Sequence, residues 1–168
     1  VENLSKIKGI AYRNNNEIIM NDPEKVVPND KMDIDLPGYA WDLLPYKSNP
    51  LDLYRAPMWH AEYDFEKRTP YASLQTSLGC QFGCNFCMIN ILNRDDNEEI
   101  GVASNYSGMR FWSTEFIIKE FDKLIDMGVK TIRIVDEMFL LNPKYYIPLC
   151  KELAERNKDD SLRIWSYS

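Results

Sequence analysis

The feature that most constrains the fold is an alternation of strand and helix patterns between residues 71 and 168. Helical patterns at 113–128 and 143–156 separate three runs rich in β-branched and aromatic residues. Strands that alternate with helices form a parallel sheet with right-handed crossovers. The sequence therefore predicts an α/β fold made of consecutive βαβ units. The predicted strands are YASLQTSL (71–78), VKTIRIVD (129–136) and LRIWSYS (162–168).

The helix predicted over 113–128 carries signals at both ends. Ser113 or Thr114 can cap its start, because a hydroxyl oxygen accepts a bond from an unpaired amide of the first turn. Gly128 suits its end, since glycine tolerates the left-handed conformation found there. Apolar residues recur with helical spacing and make one stripe, which consists of Ile117, Phe121, Leu124 and Ile125.

A second helical segment covers residues 143–156. Pro148 lies inside it, and proline removes a backbone donor, so we expect the helix to start or to kink at this position. Cys150 falls beside Leu149 and Leu153 on the apolar side. The pattern therefore predicts that Cys150 is a buried, small hydrophobic residue.

The first 70 residues have a different character. Residues 7–20 predict a hairpin around the turn Asn14–Asn16, because asparagine tolerates left-handed turns. Seven of the nine prolines fall between 21 and 70, which predicts an irregular connector with one short helix around 39–44. Its aromatic residues are predicted to pack on the neighbouring structure. These are Tyr39, Trp41, Tyr54 and Trp59.

Three cysteines follow the first strand of the predicted sheet. Cys80, Cys84 and Cys87 are spaced CxxxCxxC, and Gly79 allows the loop to turn tightly. The carboxyl end of a parallel strand is where α/β folds build their sites. Three thiolates can hold three corners of a cubane iron–sulfur cluster. One iron would then stay open to a substrate or cofactor, like the open position of a catalytic zinc.

A structural zinc site is the alternative for these thiols, and it needs a fourth ligand. The candidates are His60, in the connector, and Cys150. A zinc-stabilised binding module therefore stays open as a second reading. A cluster used only for electron transfer fits less well, because it normally has four cysteines.

The stretch CQFGCNFC (80–87) resembles the signature of the radical S-adenosylmethionine superfamily, with an aromatic residue, Phe86, before the third cysteine. The resemblance covers 71–168. It implies the first half of a parallel (β/α) partial TIM-type barrel. It also implies that Cys80, Cys84 and Cys87 ligate a 4Fe–4S cluster and that Phe86 lies near the adenine of S-adenosylmethionine. The implied reaction is reductive cleavage of S-adenosylmethionine to methionine and a 5′-deoxyadenosyl radical.

The second predicted strand ends in Asp136 and Glu137. Many members of the superfamily have here a glycine-rich turn whose acidic residue binds the amino group of S-adenosylmethionine. This chain has VDEMF (135–139) and lacks the glycines. A carboxylate still suits a positively charged amino group. We therefore expect Glu137, and secondarily Asp136, to contact the cofactor, with a capping role as the alternative.

The region before the sheet resembles the linker of one subgroup that has an upstream cobalamin-binding domain. The resemblance lies in LPGYAWDLLPY (36–46) and in the hairpin. It implies that 1–22 is the tail of a missing upstream domain, 23–70 a connector and 71–168 an incomplete barrel. Cobalamin would be bound outside this chain, and the connector aromatics could line a corrin cavity. Both ends look cut, which favours a fragment whose activity alone is not implied.

Composition limits the remaining possibilities. The net charge is −6 and no basic stripe occurs, which argues against a duplex nucleic-acid surface. No apolar run is long enough for a membrane span, and clustered cysteines suit a reducing cytoplasm. The resemblance implies an external one-electron reductant of the flavodoxin or ferredoxin type, and a small-molecule or peptide substrate. The expected activity is cobalamin-assisted methyl transfer or a radical rearrangement, with a methylthiotransferase-like enzyme as the alternative.

Overall fold

We describe the fold from a computed structural model of the 168-residue chain. The structure describes residues 3–22, 24, 26–48, 69–82, 84, 86–89 and 108–167. The predictions for Tyr54, Trp59 and His60 lie outside the described residues. In this part of the chain, no helix is both long and apolar enough to cross a membrane.

The described residues contain strands and helices, each numbered here in chain order. The strands are β1 (Ala11–Asn14), β2 (Glu17–Met20), β3 (Tyr71–Leu74), β4 (Ser77–Leu78), β5 (Arg110–Phe111), β6 (Thr131–Ile134) and β7 (Arg163–Ser166). The helices are α1 (Met32–Asp35), α2 (Thr114–Asp126) and α3 (Pro143–Arg156). Short 3-10 turns occur between them.

The central feature is a parallel sheet with strand order β3–β6–β7. Leu74 at the end of β3 pairs with Ile134 at the end of β6, which pairs with Ser166 of β7. Helix α2 precedes β6, and α3 connects β6 to β7. The predicted α/β fold with parallel strands is therefore confirmed for three strands. Closure into a barrel stays a prediction.

The hydrophobic core lies between one face of this sheet and the two long helices. Leu74, Ile132 and Ile134 alternate with polar residues along their strands, so their side chains share one face. The apolar stripe of α2 meets them as predicted, and Ser113 caps that helix by accepting from the Phe116 amide. The buried stripe residues of the two helices are Ile117, Phe121, Leu124, Leu149 and Leu153.

The strand predicted over 71–78 is wrong in its second half. The chain leaves the sheet after Leu74, and β4 pairs antiparallel with β5 instead. The reason is that side chains, rather than a neighbouring strand, bind the amides at the break. The Gln75 amide donates to the Tyr39 hydroxyl, and the Thr76 amide donates to Asp136.

Helix α3 begins at Pro143 and continues through Pro148, so a start at Pro148 is wrong. The Asn142 side chain accepts from the Lys144 amide and caps the first turn. Burial of Cys150 is also wrong, because its side chain is exposed. Successive residues of a helix are rotated by about 100°, which turns position 150 away from the buried Leu149.

The amino-terminal hairpin is confirmed. Strands β1 and β2 pair antiparallel, from Ala11 with Met20 to Asn14 with Glu17. Asn15 occupies the turn with a φ of 53°, a left-handed conformation that asparagine adopts more easily than most residues.

The connector packs against the rest of the fold over its described residues. Met32 belongs to the core and is 1% exposed. Tyr39 and Trp41 stack with ring centroids 4.7 Å apart, which confirms packing for these two aromatics. The helix predicted around 39–44 is a single 3-10 turn over Trp41–Leu43.

Four consecutive residues after the cysteine loop bind the connector through hydrogen bonds. Arg110 donates to the Val27 carbonyl, and the Phe111 amide donates to Asn29 Oδ1. The remaining two are a bond from the Trp112 indole to the Leu36 carbonyl and one from the Ser113 amide to Asp33 Oδ1. The connector is therefore joined to the segment 110–113 residue by residue.

Replacing Pro148 with alanine should stabilise the protein. Pro148 lies inside α3 and cannot donate to the carbonyl four residues earlier, which costs on the order of 1–3 kcal/mol in a helix interior. The free energy of unfolding in urea measures the gain. Pro143→Ala is the matched control, because proline is favoured in the first turn and its loss should not stabilise. Equal gains in both variants would contradict this account.

Candidate functional site

The predicted site residues follow the carboxyl ends of β3 and β6 in the chain. These ends lie side by side, because Leu74 pairs with Ile134 and the Val135 amide donates to the Leu74 carbonyl. The turn Gln75–Ser77 and the cysteine loop follow β3, and Asp136 and Glu137 follow β6. This is the edge at which parallel α/β folds build their sites.

Asp136 is 1% exposed and binds inward rather than toward solvent. One carboxylate oxygen accepts from the Thr76 amide at 2.6 Å. The other accepts from the Thr76 hydroxyl at 2.5 Å and from the Ser77 hydroxyl at 2.7 Å. A buried carboxylate needs such donors, because it loses its hydration without a compensating charge. Direct contact of Asp136 with a cofactor stays a prediction, since all three of these bonds point to the turn.

Two tyrosines hold the same turn from other elements. The Tyr39 hydroxyl accepts from the Gln75 amide at 3.1 Å, and the Tyr145 hydroxyl donates to the Thr76 carbonyl at 2.8 Å. Burial raises the pKa of both hydroxyls above the ordinary value, so both are neutral at physiological pH. We call the turn Gln75–Ser77 with Tyr39, Asp136 and Tyr145 the turn clamp.

The cysteine loop leaves β4 at Gly79, whose φ of 86° lies in the left-handed region. Cys80 and Cys87 are half-buried and Cys84 is exposed. The Cys87 amide donates to the Cys84 carbonyl at 3.1 Å, so these two cysteines share one tight turn. In the described ranges, no three His, Cys, Asp or Glu side chains are grouped so that they could hold a metal ion.

The donor set nevertheless suits an iron–sulfur cluster in its chemistry. Three thiols lie within eight residues of one loop, and soft thiolates are the ligands that iron–sulfur clusters take. A cubane takes each thiolate at a different iron, so its ligands do not converge on a single ion. Phe86 is 85% exposed beside these thiols, where a bound group could cover its ring.

Glu137 differs from its neighbour Asp136. Its Oε2 atom is buried and, in the described structure, has no hydrogen-bond partner. Burial raises the pKa of this carboxyl, the nearby Asp136 raises it further, and the Arg110 guanidinium lowers it. Buried polar atoms are normally bonded, so this oxygen is an exception among the described residues.

Arg110 joins this site through the pairing of β5 with β4. It lies opposite Leu78, just before the cysteine loop, and its Nη1 donates to the Val27 carbonyl. Its Nε is buried and has no partner in the described structure, and burial lowers its pKa. The sequence did not reveal Arg110, because only the register of two short strands brings it near Glu137.

Comparisons with known proteins give one match. The chain is 27% identical over 166 residues to an uncharacterized methyltransferase of Pyrococcus horikoshii. The match covers 98% of this chain and 29% of that protein. The chain therefore spans less than a third of the curated relative that it matches. No family model and no solved structure matches the chain.

Removing the charge of Glu137 should raise the melting temperature at neutral pH. Its pKa is raised in the folded state, so folded protein holds the proton more tightly than unfolded protein does. Stability is then lost as pH rises from the ordinary glutamate value, about 4.3, through the folded value. We expect Glu137→Gln to melt higher than wild type at pH 7, with the difference shrinking toward pH 4.

Thermal melts across this pH range provide the measurement. Glu115→Gln is the control, because Glu115 is exposed and pairs with Lys119 on the surface of α2. A variant at position 137 that melts below wild type at pH 7, by a margin that shrinks toward pH 4, would show that ionised Glu137 stabilises the fold.

Proposed function

We propose that this chain is part of a radical S-adenosylmethionine enzyme that carries out methyl transfer. The observation that carries the proposal is the place of the three cysteines in the chain. Cys80, Cys84 and Cys87 follow β3 of the parallel sheet and the short strand β4, and Glu137 follows the neighbouring strand β6. Similarity to a protein named as a methyltransferase supports the transferase class.

In this proposal the three thiolates hold a 4Fe–4S cluster at the end of β3. When bound, such a cluster supplies the electron that cleaves S-adenosylmethionine to methionine and a 5′-deoxyadenosyl radical. The protein holds and orients these groups. The loop provides three ligands and no fourth cysteine, which leaves one iron for the cofactor.

Glu137 is proposed to bind the amino group of S-adenosylmethionine. An ammonium donor at Oε2 would pair the buried oxygen and favour the ionised form of a carboxyl whose pKa burial raises. The positive charge of Arg110 lowers the pKa of Glu137, which also favours ionisation. Phe86 is proposed to pack against the adenine, because its exposed ring lies on the loop that bears the thiols.

We propose cytoplasmic location, an electron donor of the flavodoxin or ferredoxin type, and a small-molecule or peptide substrate. Cobalamin, if it relays the methyl group, would be held by an upstream domain. A radical rearrangement and a methylthiotransferase-like reaction are the related alternatives.

Loss of the cluster in Cys87→Ala tests the proposal. The chain is reconstituted anaerobically with iron and sulfide, reduced, and measured by low-temperature EPR with and without S-adenosylmethionine. We expect about four irons per chain and a signal that changes on adding the cofactor. Cys87→Ala should lose it. Cys150→Ala should keep it, because this exposed thiol lies on α3.

Other outcomes of this experiment are equally informative. A colourless protein that binds one zinc ion would contradict the proposed enzyme and support the zinc-stabilised binding module. A metal-free protein that binds S-adenosylmethionine would support the transferase class and contradict the radical mechanism. A cluster unaffected by S-adenosylmethionine would leave the thiols in place and remove the cofactor site.

Glu137→Gln should weaken binding of S-adenosylmethionine to the cluster-loaded chain by about 10-fold or more. A hydrogen bond between charged groups contributes roughly 1.5–3 kcal/mol, and glutamine removes the charge. Isothermal titration calorimetry under anaerobic conditions gives the Kd. Iron content should stay unchanged, because Glu137 is not among the proposed ligands. An unchanged Kd would exclude this role.

A further inference from the structure

Asp136 and Glu137 are neighbours in sequence with opposite circumstances. Among the residues that the structure describes, the Glu137 Oε2 atom has no hydrogen-bond partner, whereas both oxygens of Asp136 accept bonds from Thr76 and Ser77. The Asp136 side chain is also almost fully buried. Both oxygens of Asp136 therefore hold the turn Gln75–Ser77.

We propose that Asp136 is a positioning residue that sets the direction of the cysteine loop. It fixes the turn Gln75–Ser77, and Cys80 follows only three residues after Ser77. Three residues span about 10 Å at most, so a displacement of the turn reaches Cys80 with little room to be absorbed. The inference rests on the proposed function, because that function gives the loop its task.

The physical argument concerns the Thr76 amide. The pairing of β3 with β6 ends at Leu74 with Ile134, although the next residues could continue it in the same register. The Asp136 carboxylate accepts the hydrogen bond from the Thr76 amide. In a continuing strand, a backbone carbonyl of the neighbouring strand would accept that bond instead. The chain therefore turns away from the sheet, and Ser77 and Leu78 become free to pair with β5.

The same contact relates the loop to Glu137. Asp136 follows β6, and its side chain binds the turn. The next residue in the chain is Glu137, whose Oε2 atom has no partner among the described residues. The thiols and Glu137 thus share one anchor. Tyr39 and Tyr145 hold the turn from the connector and from α3, but neither lies next to Glu137 in the chain.

Asp136→Asn tests this role without any cluster. Asparagine keeps the size of the side chain but replaces one acceptor oxygen with a donor NH₂ group. Hydrogen exchange followed by mass spectrometry reports the Thr76 amide in the metal-free chain. Labelling with iodoacetamide reports Cys80, with the exposed Cys150 as the internal reference.

We expect exchange at Thr76 about 10-fold faster or more, since a bond to a charged acceptor is worth roughly 1.5–3 kcal/mol. The labelling rate of Cys80 relative to Cys150 should change as well. Exchange at Ile132 and Ile134, in the centre of the sheet, should shift only with global stability. In the reconstituted chain, the EPR change caused by S-adenosylmethionine should be altered or lost while iron is still bound.

Glu120→Gln is the matched control. Glu120 is also 1% exposed, but it accepts from the Trp41 indole and from Lys123 and holds the connector to α2. It should lower stability without selective effects at Thr76 or Cys80. If Asp136→Asn behaves like Glu120→Gln in every readout, Asp136 has a merely structural role and the inference is wrong.

The design also separates this inference from the function proposed above. A wild-type chain that binds no cluster would overturn the function, while exchange and labelling would still decide the role of Asp136. If Asp136→Asn does not fold, Ser77→Ala removes one of the three bonds and should change the labelling rate of Cys80 relative to Cys150. Unchanged labelling in Ser77→Ala would then overturn the inference.

Discussion

The bonds from Thr76 and Ser77 to the buried Asp136 carboxylate are the interaction on which the rest of the candidate site depends. They end the pairing of β3 with β6 and direct the chain into β4. Without that change of direction, β5 would have no partner at Leu78 and Arg110 would not face the site. A buried carboxyl group is costly unless donors satisfy it, and the bonds from Thr76 and Ser77 do so while they fix one path for the chain.

The sequence predicted the elements whose pattern is local. The stripe of α2, its Ser113 cap and the hairpin turn at Asn15 were correct, because each depends on residues within one or two turns of chain. The alternation of strands and helices likewise gave the parallel sheet. The curated relative, at 27% identity, is named a methyltransferase, and that name supports the proposed transferase class.

The errors share a different cause. The break after Leu74 depends on Asp136, 60 residues away along the chain, and no local pattern distinguishes it from a continuing strand. The predicted start of α3 at Pro148 is wrong, because the packing of Leu149 and Leu153 in the core can offset the loss of one helical hydrogen bond. Cys150 is exposed because the helix turns it away from the buried face on which its neighbour Leu149 lies. The sequence does not predict a role for Arg110, because only the pairing of β5 with β4 places it opposite Leu78.

The packing of the connector has a consequence for what counts as a structural unit here. Residues 26–48 supply Met32 to the core and accept hydrogen bonds from each of residues 110–113. A shorter chain starting at the sheet would leave a hole beside α2 and several donors without acceptors. The segment is thus better regarded as an outer layer of the α/β fold than as a tether, and any exchange of modules between related proteins would have to carry both pieces together.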